Sequence, residues 1–407
     1  MDKFFAELGR TVLERWKEQN FALAPFPEIA RIALEERPPS KHVDVPLLVR
    51  EFLLQDEQPF QTQSGFGQPE LVVYDDPRFY IQILFWLEGT TDIHQHEFSG
   101  AFHVLEGSSL HSRFEFEKSK PVSAHLSVGQ LRMVNTRILE TGRTESITSG
   151  RGYIHSLFHL DTPSLTVVIR THSDPGTGPQ FTYLPPHLAV DPFHHDALTI
   201  RRKQLLDVME RTDDPVYSEV VLEMIESLDF ERGFFILQNC MVYLRSLGQW
   251  DEVWDAFRRK HGALSRYVAP TLEEIIRRDG LVALRGSVTE LEHRFFLALL
   301  LNVPRRADIM KMVSQRFSGD AKKTVLRWVK ELIHGTDEGV WVLDAEFPEE
   351  FAIPGEMQPA FLLAALRQFL EDEKGGIKVG SISLSARRME SLRETLAGSS
   401  LKALLAG

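Results

Sequence analysis

The apolar and polar positions of the chain follow three different patterns. In the first twenty residues, apolar side chains recur at helical spacing with charged residues between them, which predicts an amphipathic helix. From about residue 60 to residue 172, glycines separate short segments rich in β-branched and aromatic residues, a pattern typical of a β-sandwich or barrel. Beyond residue 197 the helical spacing returns almost to the end of the chain.

These patterns predict an α+β protein of several domains. The segments are an N-terminal helical segment (1–59), a β-barrel domain (60–172), a connector with five prolines (173–196) and an all-helical C-terminal domain (197–407). A length of 407 residues agrees with more than one core, since single cores rarely grow past about 250 to 300 residues.

Charge and cysteine content exclude several classes of function. The formal net charge is −12 and no basic stripe is present, so nucleic acid is not expected as a partner. Cys240 is the only cysteine, which precludes an intramolecular disulfide. The N-terminus lacks the pattern of a signal peptide, and the longest apolar run, 295–301, is far shorter than the ~20 residues of a membrane span. We therefore expect a cytoplasmic protein that does not bind membranes.

The run Asp92-Ile93-His94-Gln95-His96 is the most informative motif. Histidines at positions i and i+2 of an extended segment point to the same face, so both imidazoles can reach one metal ion. A third ligand is expected from a later strand, where His155 and His159 are both candidates.

Over residues 70–172, the order of these features resembles the cupin family of small β-barrels, or jelly rolls. The segment from Phe79 to Gly89, the paired histidines, the ending Leu105-Glu106-Gly107 and the later single histidine carry the resemblance. Within that family the similarity is greatest to the thiol dioxygenases. The resemblance implies a cupin-type barrel that holds a metal ion and a small-molecule substrate.

The departures from the family pattern define the expected ligands. Gly100 stands where an ordinary cupin has a glutamate ligand, so the resemblance implies three neutral imidazoles, from His94, His96 and His155. Such a set suits Fe(II) with O2 as co-substrate, although imidazole also binds zinc, nickel and copper. The Ser-x-His-x-Tyr run of the cysteine dioxygenases is missing, and no arginine stands near residue 70 to bind the carboxylate of an amino acid. Cysteine is therefore not favoured as the substrate.

Four residues are candidate substrate contacts. Tyr80, Gln82 and Trp86 share one face of a predicted strand by alternation, and Arg170 could bind a carboxylate in bidentate fashion if it faces inward. Core packing for the first three, and exposure to solvent for the arginine, are the alternatives.

Three further residues are expected around the ligands. Tyr153 lies two residues before His155 and could serve catalysis by donating a hydrogen bond to the oxygen co-substrate. Glu97 and His159 could contact a metal-binding imidazole on the side away from the metal and so orient it. His103 is expected on the opposite side of its strand, away from the metal.

The function predicted from these features is that of a cupin-type non-haem Fe(II) oxygenase, similar to a dioxygenase, that acts on a small molecule, with a thiol as one candidate. Two alternatives stay open: a non-catalytic metal- or ligand-sensing cupin whose helical domain binds a partner, and a zinc or nickel cupin isomerase. Wide apolar faces at residues 233–247 and 288–301 further predict a homodimer formed through the C-terminal helices.

Overall fold

Three described α-helices precede the barrel in this computed structural model, α1 (Asp2–Glu18), α2 (Phe26–Glu36) and α3 (Val45–Leu54). The start of α3 is set by Asp44, whose side chain accepts a hydrogen bond from the Leu47 amide at 2.9 Å. The described residues are 2–55, 59–62, 66–89, 92–194, 196–334, 343, 345 and 347–406.

Within the described residues, eleven strands follow and form two antiparallel sheets. They are β1 (Glu70–Asp75), β2 (Phe79–Trp86), β3 (Ile93–His94), β4 (Gly100–Glu106), β5 (Ser108–Pro121), β6 (Leu126–Glu140), β7 (Thr144–Ile147), β8 (Ile154–His159), β9 (Ser164–Thr171), β10 (Thr182–Leu184) and β11 (Leu188–Val190). One sheet has the order β1-β2-β9-β4-β7, and the other closes into a barrel in the order β10-β11-β6-β5-β8-β3. The fold is thus the predicted α+β class, with a closed antiparallel β-barrel, helices before it and a helical region after it.

Both faces of the five-stranded sheet are buried. On β2, Ile81 and Ile83 pack under the N-terminal helices, whereas Leu84 and Trp86 point to the opposite, inner face. Phe79 lies in the outer layer, where its ring contacts those of Trp16 and Phe26, with centroid distances of 6.3 and 5.8 Å. The N-terminal helices therefore cover one face of the sheet and leave the inner face to form a site.

The proline-rich segment 173–196 contributes strands to the barrel. Its β10 pairs with β3, and its β11 pairs with β6, so these two short strands complete the closure. Each has three residues, which is too short for an alternating pattern to stand out in the sequence.

After residue 196, the described part of the chain has one short hairpin among its helices. Its helices are α4 (Ala197–Arg211), α5 (Tyr217–Ser227), α6 (Phe230–Ser246), α7 (Trp250–His261), α8 (Val268–Ser287), α9 (Leu291–Asn302), α10 (Arg306–Arg316), α11 (Ala321–His334), α12 (Gln358–Leu370), α13 (Ala386–Leu396) and α14 (Lys402–Leu405). The hairpin joins β12 (Ile377–Val379) to β13 (Ile382–Leu384). The region was expected to be all-helical and differs from that expectation in this hairpin. None of the described helices is long and apolar enough to cross a membrane.

The apolar faces that predicted a dimer are largely buried within one chain. Phe295, Phe296 and Leu300 are each no more than 4% exposed, while Val242 and Leu291 are 64% and 77% exposed. The helices bury these faces in two clusters that also include apolar residues of the barrel. The homodimer stays a prediction.

We expect Phe79→Ala to lower the free energy of unfolding by about 3–5 kcal/mol, because it removes a fully buried ring between the sheet and two helices. Urea unfolding followed by circular dichroism measures the change. Phe60→Ala is the matched control, since Phe60 is 67% exposed and its loss should cost no more than about 0.5 kcal/mol. Equal losses in both variants would contradict the described packing.

Candidate metal centre

Strand pairing brings the expected ligands together. The short strand β3 pairs with β10 on one side and β8 on the other, and in this register His94 lies directly opposite His155. His96 follows two residues after His94, while the intervening Gln95 points elsewhere and accepts a hydrogen bond from the Tyr183 hydroxyl at 2.6 Å. The alternation expected from the sequence therefore holds.

The three imidazoles form one buried cluster. His94, His96 and His155 are 7%, 5% and 3% exposed, and one ring nitrogen from each lies within 4.8 Å of the other two. The Nε2 atoms of His96 and His155 are 2.8 Å apart. Two imidazoles bound to one ion at 2.0–2.1 Å and at right angles would place their nitrogens roughly 3 Å apart, so this pair has the spacing of two ligands of one metal ion.

The surroundings keep these rings neutral. Burial lowers the pKa of His94, and it lowers the pKa values of His96 and His155 well below the ordinary value. His94 and Arg170 add to the effect on His96, and the imidazoles of His94, His96 and His111 add to the effect on His155. The Nε2 of His94 is also buried without a hydrogen-bond partner among the described residues. Neutral rings with lone pairs directed at one point are the form that binds a metal.

A buried histidine holds the ring of His155. The Nδ1 of His155 lies 3.2 Å from the Nε2 of His111, and the Tyr153 hydroxyl lies 3.4 Å from the same His111 nitrogen. When the Nε2 of His155 binds a metal ion, the ring proton lies on Nδ1, and this N–H donates a hydrogen bond to the Nε2 of His111. This contact is the kind that fixes the tautomer and orientation of a metal-binding imidazole.

Of the two candidates for the third ligand, the structure brings His155 into the cluster. His159 lies four residues further along β8, where its Nδ1 contacts the Ser109 and Ser164 hydroxyl groups at 3.0 and 3.2 Å. Its ring stacks on Trp86 at 4.5 Å between centroids. The hydroxyl groups and the indole therefore hold His159 beside the site rather than in it.

A cavity of about 50 Å³ opens next to the histidine cluster, between the inner face of the five-stranded sheet and strands β3 and β8. Its walls are mostly apolar, and its polar lining includes Gln82 and His159. The Oε1 of Gln82 and the Nε2 of His159 are buried without a hydrogen-bond partner among the described residues. Since such atoms cost roughly 1–3 kcal/mol each when unpaired, the cavity is built to accept a polar ligand or water.

The remaining substrate candidates occupy different places. Trp86 lines the cavity and donates from its Nε1 to the Thr166 hydroxyl at 3.2 Å. Arg170 also lines it, with its guanidinium 3.5 Å from the centre of the Phe98 ring. Tyr80 is not among the cavity-lining residues; it lies beside Arg170 and its ring contacts that of His172 at 5.1 Å.

Tyr153 and Glu97 lie outside the cavity. Tyr153 is buried with its hydroxyl against His111, so it supports the ring of His155 through that residue. The half-buried Glu97 has no carboxylate hydrogen bond to an imidazole among the described residues, and its carbonyl accepts from the Asp174 amide at 2.7 Å. His103 faces the N-terminal helices, where it contacts the Ser40 hydroxyl at 3.0 Å, as its strand position predicts.

Gly100 has no room for a side chain. A Cβ at this position would lie 2.0 Å from the carbonyl oxygen of Ile169 on the neighbouring strand β9. A glutamate therefore cannot occupy this position without moving β9, and the absence of a carboxylate ligand here follows from the backbone.

No protein-family model and no curated protein sequence matches the chain. Among solved structures, KdgF from Halomonas sp. is 15% identical over 30% of this chain and 94% of its own, with a TM-score of 0.20. A hydroquinone 1,2-dioxygenase from Sphingomonas sp. TTNP3 is 9% identical over 30% of this chain and 81% of its own, with a TM-score of 0.21. A cupin-2 domain protein from Shewanella frigidimarina is 14% identical over 33% and 97%, with a TM-score of 0.19. Likenesses this distant carry no statement about activity.

Sequence reasoning missed His111. It lies on β5, diagonally across from His155, and reaches its partner only through the register in which Arg113 pairs with His155. A single histidine in a strand carries no local signal for such a contact. The Phe66 ring, 5.9 Å from the centre of the His94 ring, was missed for the same reason.

We expect the double substitution His94→Ala, His96→Ala to abolish stoichiometric metal binding, because two of the three converging imidazoles are lost. Elemental analysis of the purified variant measures metal per chain, and circular dichroism checks that the barrel is folded. The exposed His42 gives the control His42→Ala, which should keep its metal. A double variant with full metal content would refute the site.

We expect His111→Phe to weaken metal binding by about 10–100-fold while all three ligands remain, because the Nδ1 proton of His155 loses its acceptor. Competition with a chromophoric chelator measures the affinity. His111→Gln, which can still accept a hydrogen bond, should recover part of the loss. If the phenylalanine variant binds metal as tightly as the unchanged protein, His111 does not position the ligand.

Proposed function

We propose that this protein is a non-haem iron oxygenase that uses three imidazoles to bind its metal and acts on a small organic molecule. The observation that carries the proposal is the set of donors: three neutral histidines converge on one point, and the backbone at Gly100 leaves no room for a carboxylate ligand. A bound Fe(II) would supply the ability to react with O2, and the three-histidine set leaves coordination positions open.

The protein's own residues hold the geometry and exclude water. His111 fixes the ring of His155, and stacking on Trp86 together with two serine hydroxyl groups fixes His159 at the cavity wall. Apolar side chains form most of the remaining lining: Phe66, Leu84, Phe98, Phe102, Ile147, Leu157 and Val168. These walls favour a small, largely apolar substrate.

Three polar groups would orient that substrate. The Oε1 of Gln82 can accept a hydrogen bond. Burial lowers the pKa of His159 to about 3, so its ring is neutral, and its Nε2 is the second polar group. Arg170 donates only to the backbone carbonyls of Thr171 and His172, at 3.2 and 3.1 Å, and forms no ion pair within the described part of the chain. The carboxylates of Glu70, Glu97 and Asp174 act on its charge only from beyond ion-pair distance, so the guanidinium can still pair with an anionic group, such as a thiolate or a phenolate.

A metal-sensing cupin is the second candidate function. Two observations favour it: the cavity at the histidines is small, and the helical region makes up about half of the chain. In that function, the metal and the cavity ligand would bind without turnover. A zinc or nickel isomerase would use the same ligands with a different ion.

Oxygen consumption separates these functions. Protein loaded with Fe(II) should consume O2 when a panel of small thiols and dihydroxybenzenes is added, and the His94→Ala, His96→Ala variant should not. Protein loaded with zinc is the matched control, since zinc has no redox chemistry. Full metal binding without substrate-dependent oxygen uptake across the panel would contradict the oxygenase and favour the sensor or the isomerase.

A further inference from the structure

One of the two ring nitrogens of His159 is buried and unpaired at the cavity beside the metal centre. The residue is 1% exposed and lines this cavity, and its Nε2 has no hydrogen-bond partner among the described residues. Its Nδ1 contacts the hydroxyl groups of Ser109 and Ser164, which are not among the cavity-lining residues. The Nε2 is therefore the ring atom that is available to a ligand in the cavity.

Strand pairing and stacking fix the ring of His159. Ser109 on β5 lies directly opposite His159 on β8, and the indole of Trp86 stacks on the imidazole with an angle of 16° between the planes. Trp86 is held in turn by its hydrogen bond to the Thr166 hydroxyl. Turning the imidazole over would keep the stacking but would break both hydroxyl contacts. The direction of the Nε2 is thus set before any ligand binds.

The two hydroxyl groups decide which nitrogen of His159 carries the proton. Ser109 is fully buried, and the Nδ1 of His159, at 3.0 Å, is the only partner of its hydroxyl group among the described residues. A buried hydroxyl hydrogen without an acceptor costs roughly 1–3 kcal/mol, so Ser109 donates to the Nδ1. The Ser164 hydroxyl has another acceptor, the carbonyl of Glu106 at 3.3 Å. Its hydrogen therefore does not depend on the imidazole.

These contacts make the Nε2 of His159 a hydrogen-bond donor. Burial lowers the pKa of His159 to about 3, so the ring is neutral and carries a single N–H group. Since the Nδ1 accepts from Ser109, the proton lies on the Nε2. The cavity thus contains a donor whose direction is fixed and which needs an acceptor from a ligand.

This donor lies away from the metal centre. Four residues of β8 separate His159 from His155, which corresponds to about 13 Å between their Cα atoms at the rise of a strand. The Phe66 ring lies between the two regions, with centroid distances of 5.3 Å to Trp86 and 5.9 Å to His94. A substrate that binds the metal with one group would therefore contact His159 with a different part.

We propose that His159 selects substrates that carry a hydrogen-bond acceptor, such as a carbonyl oxygen, on the part remote from the metal-binding group, and that its Nε2–H donates to this acceptor. The inference rests on the proposed function, because it takes the cavity beside the metal centre as the substrate site. His159 is then a positioning residue that does not touch the reacting atoms. An analogue without the acceptor would leave the Nε2–H unpaired, so the site would discriminate against it.

Nitrogen NMR of the full-length protein with labelled histidines tests the position of the proton, because protonated and bare ring nitrogens differ in chemical shift. We expect the proton of His159 on Nε2, with the signals identified by their loss in His159→Phe. Ser109→Ala should move the proton to Nδ1, since Ser164 can then accept it while donating to Glu106. Ser164→Ala is the matched control and should leave the proton on Nε2.

A proton on the Nδ1 of the unchanged protein, or the same result in both serine variants, would overturn the proposal. If His159→Phe fails to fold, the signals that change in Ser109→Ala identify the ring. The absence of any change in Ser109→Ala would also count against the proposal, because Ser109 would then not determine the tautomer.

Isothermal titration of the zinc-loaded protein tests the selectivity, since zinc has no redox chemistry and permits binding without oxidation. The probes are two pairs in which a methylene group replaces a carbonyl oxygen: mercaptoacetone with 2-methylprop-2-ene-1-thiol, and 4-hydroxybenzaldehyde with 4-vinylphenol. We expect the carbonyl compound of at least one pair to bind at least about fivefold more tightly. This preference should be lost in His159→Phe and Ser109→Ala and kept in Ser164→Ala. Failure of all four probes to bind, equal affinities within both pairs, or a preference that persists in Ser109→Ala would overturn the proposal.

The outcome is separable from that of the oxygenase proposal. The position of the proton does not depend on a metal ion, so it should be the same in the His94→Ala, His96→Ala variant. Selective binding of the carbonyl probes without oxygen consumption would contradict the oxygenase alone. Oxygen consumption without any preference for the carbonyl probes would contradict the role of His159 alone.

Discussion

The pairing of β3 with β8 is the interaction on which the rest of the site depends. The strand β3 has two residues, yet it closes the barrel through β10 on one side and β8 on the other. This register sets His94 opposite His155, and a shift by one residue would turn one of the two imidazoles to the other face. The closed barrel therefore fixes both the fold and the convergence of the ligands.

Burial of three imidazoles has an energetic consequence for the fold. Charged rings packed this closely would repel one another and lose their hydration, and burial holds the pKa values of all three rings low. Neutral rings still leave nitrogen atoms that require a partner, such as the Nε2 of His94. The barrel thus presents a set of lone pairs for which a metal ion is the natural partner.

Local sequence patterns predict the parts of the site that depend on neighbouring residues. The pair His94 and His96 follows from the two-residue period of a strand, and the inner face of β2 with Gln82 and Trp86 follows from the same rule. The choice between His155 and His159 could not be made in this way, since both lie on the same face of β8. Only the register across β3, β5 and β8 separates them.

Contacts between segments that are far apart in the chain could not be predicted from local sequence patterns for the same reason. His111 on β5 contacts His155 on the neighbouring strand β8. The strands β10 and β11 have three residues each and lie among prolines, so they gain their stability from pairing with β3 and β6 rather than from their own sequence. The strand β3 is a similar case, because its two residues cannot specify a strand unless the barrel around them supplies hydrogen-bonding partners on both sides.

The C-terminal helices cover the outer face of β8, the strand that carries His155. On β8, His155, Leu157 and His159 face the interior, while Phe158 points outward beside its cross-strand neighbour Leu110 on β5. Phe158 and Leu110 are 1% and 0% exposed because the helical region covers them, and burial of each side chain is worth about 1.5–3 kcal/mol. The helical region therefore stabilises β8 from outside while the histidines occupy its inner face, so the geometry of the metal centre depends on both halves of the chain.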